Sequence, residues 1–399
     1  MQLSDFDYDL PTDLIALQPV LPKDTAKMLV LNEASIKDCA ISDLPDFLTA
    51  KDLLVFNDTK VIPAKLTLYK LGLTGAIHVN LHKNIKDSVW SVFAKPGKKI
   101  KIGDILYQAS SPRSTLSSPR STLSSPRSTL SSPRRRGSSL NNNLSTNLDS
   151  RLRGNDSRHE NDCSIEVLDK LPDGQIILDF KLNKREFEHF INQHGTTPLP
   201  PYIEKKHTAT EADKTLYQTM FAIHSGSVAA PTAGLHFTPN LMARLSAKGV
   251  RHCFVTLHVG GGTFLPVKTE NLRDHKMHSE YCELSSETAD LINQTKKNGG
   301  RIIAIGTTST RTLEACADQD GEVRAFCGDI NLFIIPGYQF KLVDLMVTNF
   351  HLPKSTLLML IAAFAGYDEV FTAYAHARKS GYRFYSYGDC CLLYGKNHV

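Results

Sequence analysis

The sequence lacks the features that mark membrane, secreted or metal-binding proteins. Its longest apolar run, residues 357–365, is too short to span a bilayer. Residues 1–10 carry three aspartates and no basic segment, so no secretory signal is predicted. The eight cysteines form no CxxC pair and no ligand-spaced set with histidine, which predicts reduced thiols and no metal site. We therefore expect a soluble, cytoplasmic protein.

Excess positive charge is confined to one segment of the 399-residue chain. The formal net charge of +5 would by itself suggest a nucleic-acid partner. Residues 110–160, however, hold nine arginines against three acids, a net of +6, so the other 348 residues sum to −1. The same segment repeats Ser-Ser-Pro-Arg-Ser-Thr-Leu three times, and the prolines forbid a continuous helix. We predict a disordered low-complexity insertion at 110–160.

Two kinds of hydrophobic pattern share the remaining chain. Between residues 64 and 180, short alternating runs such as 66–69 and 77–81 are separated by glycines, which is typical of a small antiparallel barrel. Elsewhere, helical patterns alternate with short apolar runs that read as buried strands. This alternation is typical of α/β proteins.

The stretch 227–281 is rich in histidine and glycine. Thr238 and Pro239 fit the first positions of a helix that stops at Gly249. Residues 253–257 read as a buried strand leading into glycines 260–262, at the strand end where open α/β sheets bind ligands. A plain turn would also use these glycines. The histidines that favour a site are His236, His258, His275 and His278.

Three further polar motifs flank apolar segments. The first follows a predicted strand and would also suit an ordinary turn. The second places four hydroxyl groups between a strand and a helix, a ready site for a phosphate, carboxylate or ribose. The third precedes the apolar helix at 357–365, which we expect to be buried. Their candidate residues are Asn57 and Asp58, then Thr307, Thr308 and Arg311, then Asn349, His351 and Lys354.

In this order, the motifs resemble those of the S-adenosylmethionine:tRNA ribosyltransferase-isomerases of the queuosine pathway. The resemblance covers nearly the whole chain except 110–160 and is carried by Thr197–Ile203, Ser227–Thr238, Phe254–Phe264 and Asn349–Thr356. The departures from the family pattern are Gly261 for alanine, Lys27 for arginine and Thr310 for valine.

The resemblance implies a large layered α/β domain, residues 1–63 and 184–399, interrupted by a small antiparallel β-barrel domain, residues 64–183. It implies an enzyme that transfers the ribosyl group of S-adenosylmethionine onto the aminomethyl-deazaguanine (preQ1) base at the tRNA wobble position and isomerises it. The products would be epoxyqueuosine, adenine and methionine. S-adenosylmethionine would be consumed as a substrate, and no cofactor would be needed. The tRNA would be the second substrate. We expect a monomer that binds no membrane.

Such chemistry needs a base at the carbon beside the sulfonium, an acid for the departing adenine, and polar groups on the ribose. Arg311 would suit a bidentate contact with the methionine carboxylate. The candidate acids and bases, which the sequence does not rank, are His236, His258, His275, His278 and Asp58. The expected substrate contacts are Asn57, Thr232, Gly234, Gly260, Gly262, Thr263, Glu280, Thr307, Thr308, Arg311, Asn349, His351 and Lys354.

Aromatic side chains would stack on the unpaired wobble base. The candidates, which would equally suit the core, are Phe237, Phe264, Tyr385 and Tyr387.

Other functions compete with this reading. An S-adenosylmethionine-dependent RNA methyltransferase is the strongest, but no acidic-x-Gly-x-Gly motif follows an early strand. An esterase would need a G-x-S-x-G elbow, and none occurs. A noncatalytic RNA-binding protein would fit the arginine-rich segment but not the near-neutral remainder. Adenine release, which methyl transfer cannot produce, separates the first alternative from ribosyl transfer.

Overall fold

The computed structural model describes residues 1–33, 35–108, 163–206, 209–264, 267 and 269–396, and only the backbone of Thr263 and Phe264. The predicted insertion at 110–160 lies outside these ranges. The strands are β1 Lys27–Asn32, β2 Ser35–Ala40, β3 Leu53–Asn57, β4 Thr59–Val61, β5 Lys65–Lys70, β6 Ile77–Lys86, β7 Val89–Lys95, β8 Ile105–Tyr107, β9 Ser164–Lys170, β10 Ile176–Asp179, β11 His224–Ser227, β12 Arg251–Leu257, β13 Glu280–Leu284, β14 Ile302–Ile305, β15 Phe326–Ile330, β16 Leu345–Asn349 and β17 Cys390–Tyr394. The α-helices are α1 Lys184–His194, α2 Pro201–Glu204, α3 Glu211–Leu216, α4 Pro239–Ala247, α5 Ser286–Lys297, α6 Thr307–Cys316, α7 Thr356–Ala365 and α8 Tyr367–Lys379.

A nine-stranded mixed sheet organises the larger part of the molecule. Its order is β15-β13-β12-β3-β14-β16-β17-β1-β2, and the central strands β12, β3, β14 and β16 run parallel. Every residue of β3, β14 and β16 is buried, as expected for strands covered on both faces. Leu53 and Val55 of β3 pack with α5 to α8, whereas Leu54 and Phe56 pack with α4. The sheet is therefore the middle of three layers.

Helix α7 is buried, as its uniformly apolar sequence predicted. The Ser355 hydroxyl accepts a hydrogen bond from the amide of Leu358 at 3.2 Å, and Gly366, with φ +100°, ends the helix. Within the described ranges, no single helix is long and apolar enough to cross a membrane. Helices α7 and α8 pass that test only as a pair that bends by 114°.

Strands β5 to β10 close into an antiparallel barrel in the order β10-β7-β6-β5-β8-β9. Alternate residues of β6, Ile77, Val79 and Leu81, point into its core. Helix α1 packs on the barrel, with Phe187 stacked on Trp90 at a centroid distance of 5.5 Å. The sheet and the barrel confirm the predicted fold class. The barrel strands lie within 64–183, but the domain boundaries stay a prediction.

Two helices differ from their predicted limits. Helix α6 begins at Thr307 and includes the polar residues expected to form a turn. The hydroxyls of Ser309 and Thr310 bond to carbonyls one turn earlier, so they satisfy themselves without breaking the helix. The sequence predicts a helix over residues 211–220, but α3 ends at Leu216, four residues earlier. The Gln218 side chain bonds both backbone groups of Val61 and draws the chain away from the helix axis.

Glu314 on α6 anchors the segment that precedes β16. The side chain is 1% exposed, and its carboxylate accepts hydrogen bonds from the amides of Lys341, Leu342 and Val343 at 2.9, 3.1 and 3.0 Å. These charge-assisted bonds hold α6 against the sheet. They therefore position the cleft-lining residues at the start of that helix.

Replacing Glu314 with Ala should lower the free energy of unfolding by about 3 kcal/mol, because three buried amides lose their acceptor. Glu314→Gln, which keeps an acceptor oxygen, should cost less. Urea denaturation measures both. Glu322→Ala removes an exposed carboxylate nearby and serves as the control, with a change within about 0.5 kcal/mol. Equal effects at the two positions would contradict the anchoring role.

Candidate active site

A cleft with a volume of about 620 Å³ lies between the large sheet and the barrel. Gly260 follows β12, Gly306 follows β14 and Asn349 ends β16, and all three line the cleft. Because these strands belong to the parallel part of the sheet, their carboxyl ends share one edge, the usual ligand site of open α/β sheets. From the barrel, His82 lines the same cleft.

The structure brings together most of the residues that the sequence predicted. The predicted residues that line the cleft are Thr232, Gly260, Gly262, His275, His278, Glu280, Thr307, Thr308, Arg311, Asn349, His351 and Lys354. Those that do not line it are Asn57, Asp58, Gly234, His236 and His258. The side chain of Thr263 lies outside the described part of the chain.

A buried ion pair forms part of the cleft wall. Arg311 donates through Nη1 to Glu280, and each side chain is 5% exposed. Glu280 also accepts the amide hydrogen bond of Gly260 at 3.0 Å, and Arg311 Nε donates to the carbonyl of Leu332 at 3.1 Å. Arg311 therefore does not offer the free fork expected for a ligand carboxylate, because Glu280 already engages it. Of the three guanidinium nitrogens of Arg311, Nη2 is the one without a hydrogen-bond partner among the described residues.

Two histidines from different domains meet above the glycine loop. The ring of His82 lies edge-on to that of His278, with centroids 5.7 Å apart. A Cβ atom on Gly260 would lie 2.9 Å from His82 Cε1, and one on Gly262 would lie 2.6 Å from His278 Cδ2. Both distances are shorter than van der Waals contact. Glycine at these positions therefore allows the two imidazoles to approach the loop.

Burial lowers the pKa of three histidines that line the cleft. Desolvation, followed by the charge of His278, lowers the pKa of His82 to about 4. The pKa of His275 is also lowered, first by burial and then by His278. Burial lowers the pKa of His351 to about 3, and its Nε2 lies 3.0 Å from the Thr348 hydroxyl. His82, His275 and His351 are therefore neutral near pH 7.

His236 lies behind the cleft and contacts it through Asn349. Its Nε2 is 3.2 Å from Asn349 Nδ2, and the amide oxygen of Asn349 accepts a bond from the Thr232 hydroxyl at 2.9 Å. Burial, reinforced by Arg383 and Lys23, lowers the pKa of His236 to about 4. The neutral Nε2 accepts from the Asn349 amide and fixes its orientation. His236 therefore contacts Asn349 and does not itself line the cleft.

Asp58 and His258 form a separate cluster beyond the cleft wall. The Thr59 hydroxyl lies 2.7 Å from His258 Nδ1, and the Thr256 hydroxyl donates to Asp58 at 2.7 Å. Burial lowers the pKa of His258 to about 4 and raises that of Asp58. Asn57 bonds both backbone groups of Leu257 and so ties the ends of β3 and β12 together. In the described ranges, no three His, Cys, Asp or Glu residues are arranged to hold a metal.

Two residues that line the cleft have strained backbone conformations. Lys354 and Tyr385 both line it and have φ values of +57° and +74°. Such values are uncommon for residues with a side chain and persist only where the surroundings impose them. Tyr385 packs on Tyr202 with ring centroids 4.6 Å apart, and both rings line the cleft. Of the other aromatic candidates, Phe237 and Tyr387 are buried in core clusters.

Sequence reasoning missed His82 and Tyr202. Strand alternation assigns His82 to the outer face of the barrel, with the exposed His78 and Asn80. At the end of that row, the outer face meets the glycine loop of the large domain instead of solvent. No local signal marks this docking, because it depends on how the two domains meet.

The depressed pKa of His236 predicts a pH-dependent stability. Between pH 6.5 and about 4, the unfolded chain binds a proton that the folded protein excludes, so stability falls as the pH is lowered through this window. His236→Gln should make this slope shallower by up to about 1.4 kcal/mol per pH unit. Urea denaturation across the window measures it. The exposed His78→Gln controls for loss of an imidazole, and an unchanged slope in His236→Gln would contradict the prediction.

Comparisons with known proteins agree with the motifs. A family model described as queuosine biosynthesis protein matches residues 3–393. The S-adenosylmethionine:tRNA ribosyltransferase-isomerase of Caulobacter vibrioides is 44% identical and covers 99% of both chains, and that of Methylocella silvestris is 44% identical, covering 99% of this chain and 98% of its own. A crystal structure of an S-adenosylmethionine tRNA ribosyltransferase from Thermotoga maritima is 31% identical, covering 97% of this chain and 99% of that chain, with a TM-score of 0.48. The resemblance seen in the sequence is confirmed, and the chain belongs to the queuosine biosynthesis protein family.

Proposed function

We propose that this protein is an S-adenosylmethionine:tRNA ribosyltransferase-isomerase. It transfers and isomerises the ribosyl group of S-adenosylmethionine onto the preQ1 base at the tRNA wobble position, giving epoxyqueuosine, adenine and methionine. The observation that carries the proposal is the single cleft in which the motifs shared with the family converge. Relatives that match over 98–99% of their length bear this activity in their names.

The cleft supports a division of roles among the predicted residues. His275 and His278 line it and are the candidate proton-transfer groups. His236 and His258 lie outside it; the former acts through Asn349, and the latter is held by the Thr59 hydroxyl. Asp58, in the cluster with His258, is likewise a supporting residue. Of the four histidines that line the cleft, His275 and His278 are the two that the sequence predicted as acids or bases, and one of them would accept the proton beside the sulfonium.

The wobble base would stack on the aromatic pair at the cleft, Tyr202 and Tyr385. Bases splayed out of an RNA loop are commonly held between aromatic rings. Lys205 and Lys354 also line the cleft and suit the phosphates that flank the base. Lys354 already pairs with Asp7 at 2.7 Å, so a phosphate would compete with that carboxylate.

The remaining expectations are part of the same proposal. S-adenosylmethionine is consumed as a substrate, and no resident cofactor takes part. The tRNA carries preQ1 at its wobble position. A monomer in the cytoplasm is the expected state.

The decisive measurement is adenine release, followed by chromatography, from S-adenosylmethionine incubated with the protein and tRNA carrying preQ1. Release that depends on this tRNA is expected. Methylated RNA without adenine would support a methyltransferase instead. If neither product forms, the assay with residues 110–160 deleted separates an obstructive insertion from a wrong function.

Gly262→Ala should reduce kcat/KM for adenine release by about 100-fold, because the added Cβ would lie 2.6 Å from His278 Cδ2 and displace that ring. Gly261→Ala is the matched control. Its Cβ would meet nothing closer than 3.6 Å, and alanine is the residue that the family pattern has there. Thermal unfolding checks that both variants fold. Equal activity in the two variants would contradict a role for the His278 position.

A further inference from the structure

Three buried polar atoms without a partner belong to residues that line the same cleft. They are His82 Nδ1, Thr308 Oγ1 and Arg311 Nη2, each without a hydrogen bond among the described residues. His82 is 5% exposed and Arg311 4%. Each unsatisfied buried polar group lowers the free energy of unfolding by about 1–3 kcal/mol, so the three in this cleft destabilise the unliganded protein. A bound ligand that pairs with them would recover that cost.

The barrel places His82 in the cleft by an irregularity of β6. The pairing of β6 with β7 shifts register between Leu81 and Lys83, which is the position of His82. Such bulges redirect a side chain and are frequent beside functional sites. The ring then lies between Phe93, with centroids 5.1 Å apart, and Gly260. His82 is therefore held in a fixed orientation.

The polar groups near His82 suit a neutral ligand group. The positive charge of Arg311 is compensated by Glu280, and both side chains are buried. The Thr308 hydroxyl and the His82 imidazole add polarity without net charge. Hydroxyls and ring nitrogens of a ligand would find both donors and acceptors among Arg311 Nη2, Thr308 and His82. The neutral polar part of S-adenosylmethionine is its adenosyl group.

We propose that His82 of the barrel is a substrate-binding residue, whose Nδ1 hydrogen-bonds a neutral polar atom of the adenosyl group of S-adenosylmethionine. This inference rests on the proposed function. It gives the barrel a direct part in the site, since the large domain alone would leave the adenosyl group without this contact. Thr308 and Arg311 Nη2 complete the same subsite from α6.

Three variants of His82 test the proposal. Asparagine places an amide nitrogen near the position of Nδ1, glutamine places one near Nε2, and phenylalanine keeps a ring without polar atoms. Isothermal titration of S-adenosylmethionine into the full chain should show Kd raised about tenfold for His82→Phe and His82→Gln, and less than about threefold for His82→Asn. His78→Asn, exposed on the same strand, is the control and should bind like the wild type.

Competition identifies which part of the ligand His82 touches. Adenosine should lose about tenfold in affinity for His82→Phe, whereas methionine should bind that variant and the wild type equally. The opposite pattern would place His82 at the amino-acid end and overturn the assignment. Equal affinities of His82→Asn and His82→Gln would show that Nδ1 is not the contact.

Stability separates binding from a structural role. His82→Phe removes an unpaired buried nitrogen, so its thermal midpoint should be unchanged or higher than that of the wild type. A lower midpoint together with unchanged S-adenosylmethionine affinity would make His82 a packing residue and overturn the proposal. If the wild type releases adenine while the variants bind normally, only this inference fails. If the wild type neither binds S-adenosylmethionine nor releases adenine, the proposed function fails and the inference with it.

Discussion

The buried ion pair of Glu280 and Arg311 is the contact on which the shape of the cleft depends. It joins the start of β13 to α6, and through further hydrogen bonds it holds the Gly260 amide and the Leu332 carbonyl. Removing one partner of such a pair typically costs about 3–5 kcal/mol, because the other charge is left buried. Within the pair, the two buried charges compensate each other. The same ion pair therefore holds this part of the cleft wall rigid and adds no net charge to it.

The second constraint is how the barrel is fixed to the sheet. The chain enters the barrel at Lys65 and leaves it near Thr196, and the backbones of these two residues exchange hydrogen bonds at 3.2 and 2.9 Å. A Cβ on Gly195 would lie 2.2 Å from the carbonyl oxygen of Pro63, so the two crossings are packed as closely as glycine allows. Because entry and exit are bonded to each other, the barrel has a defined position over the glycine loop. His82 reaches the cleft for that reason.

Local sequence patterns predicted the helices and strands, whereas tertiary contacts determine which of the candidate residues line the cleft. Helix α7, the strand before Gly260 and the barrel class follow from periodicity and composition, which act within a few residues. The sequence could also collect the residues at the strand ends, because parallel strands share an edge. It could not separate His236 from His278, since both lie in polar motifs and only packing buries one behind Asn349. His82 was beyond reach because a bulge and a domain contact place it.

Two kinds of local departure from ordinary folding occur among the residues of this cleft. Lys354 and Tyr385 adopt left-handed backbone conformations there, and the unpaired nitrogen of His82 lies in its wall. Glu314, a buried charge outside the cleft, has hydrogen bonds to both carboxylate oxygens. In natural proteins, such unfavourable local features persist mainly at functional sites, where ligand binding compensates for them. The unsatisfied groups belong to both domains, so a ligand that pairs with them would also hold the barrel against the sheet. Substrate binding and the contact between the two domains are then thermodynamically linked, because a ligand stabilises the state that it binds.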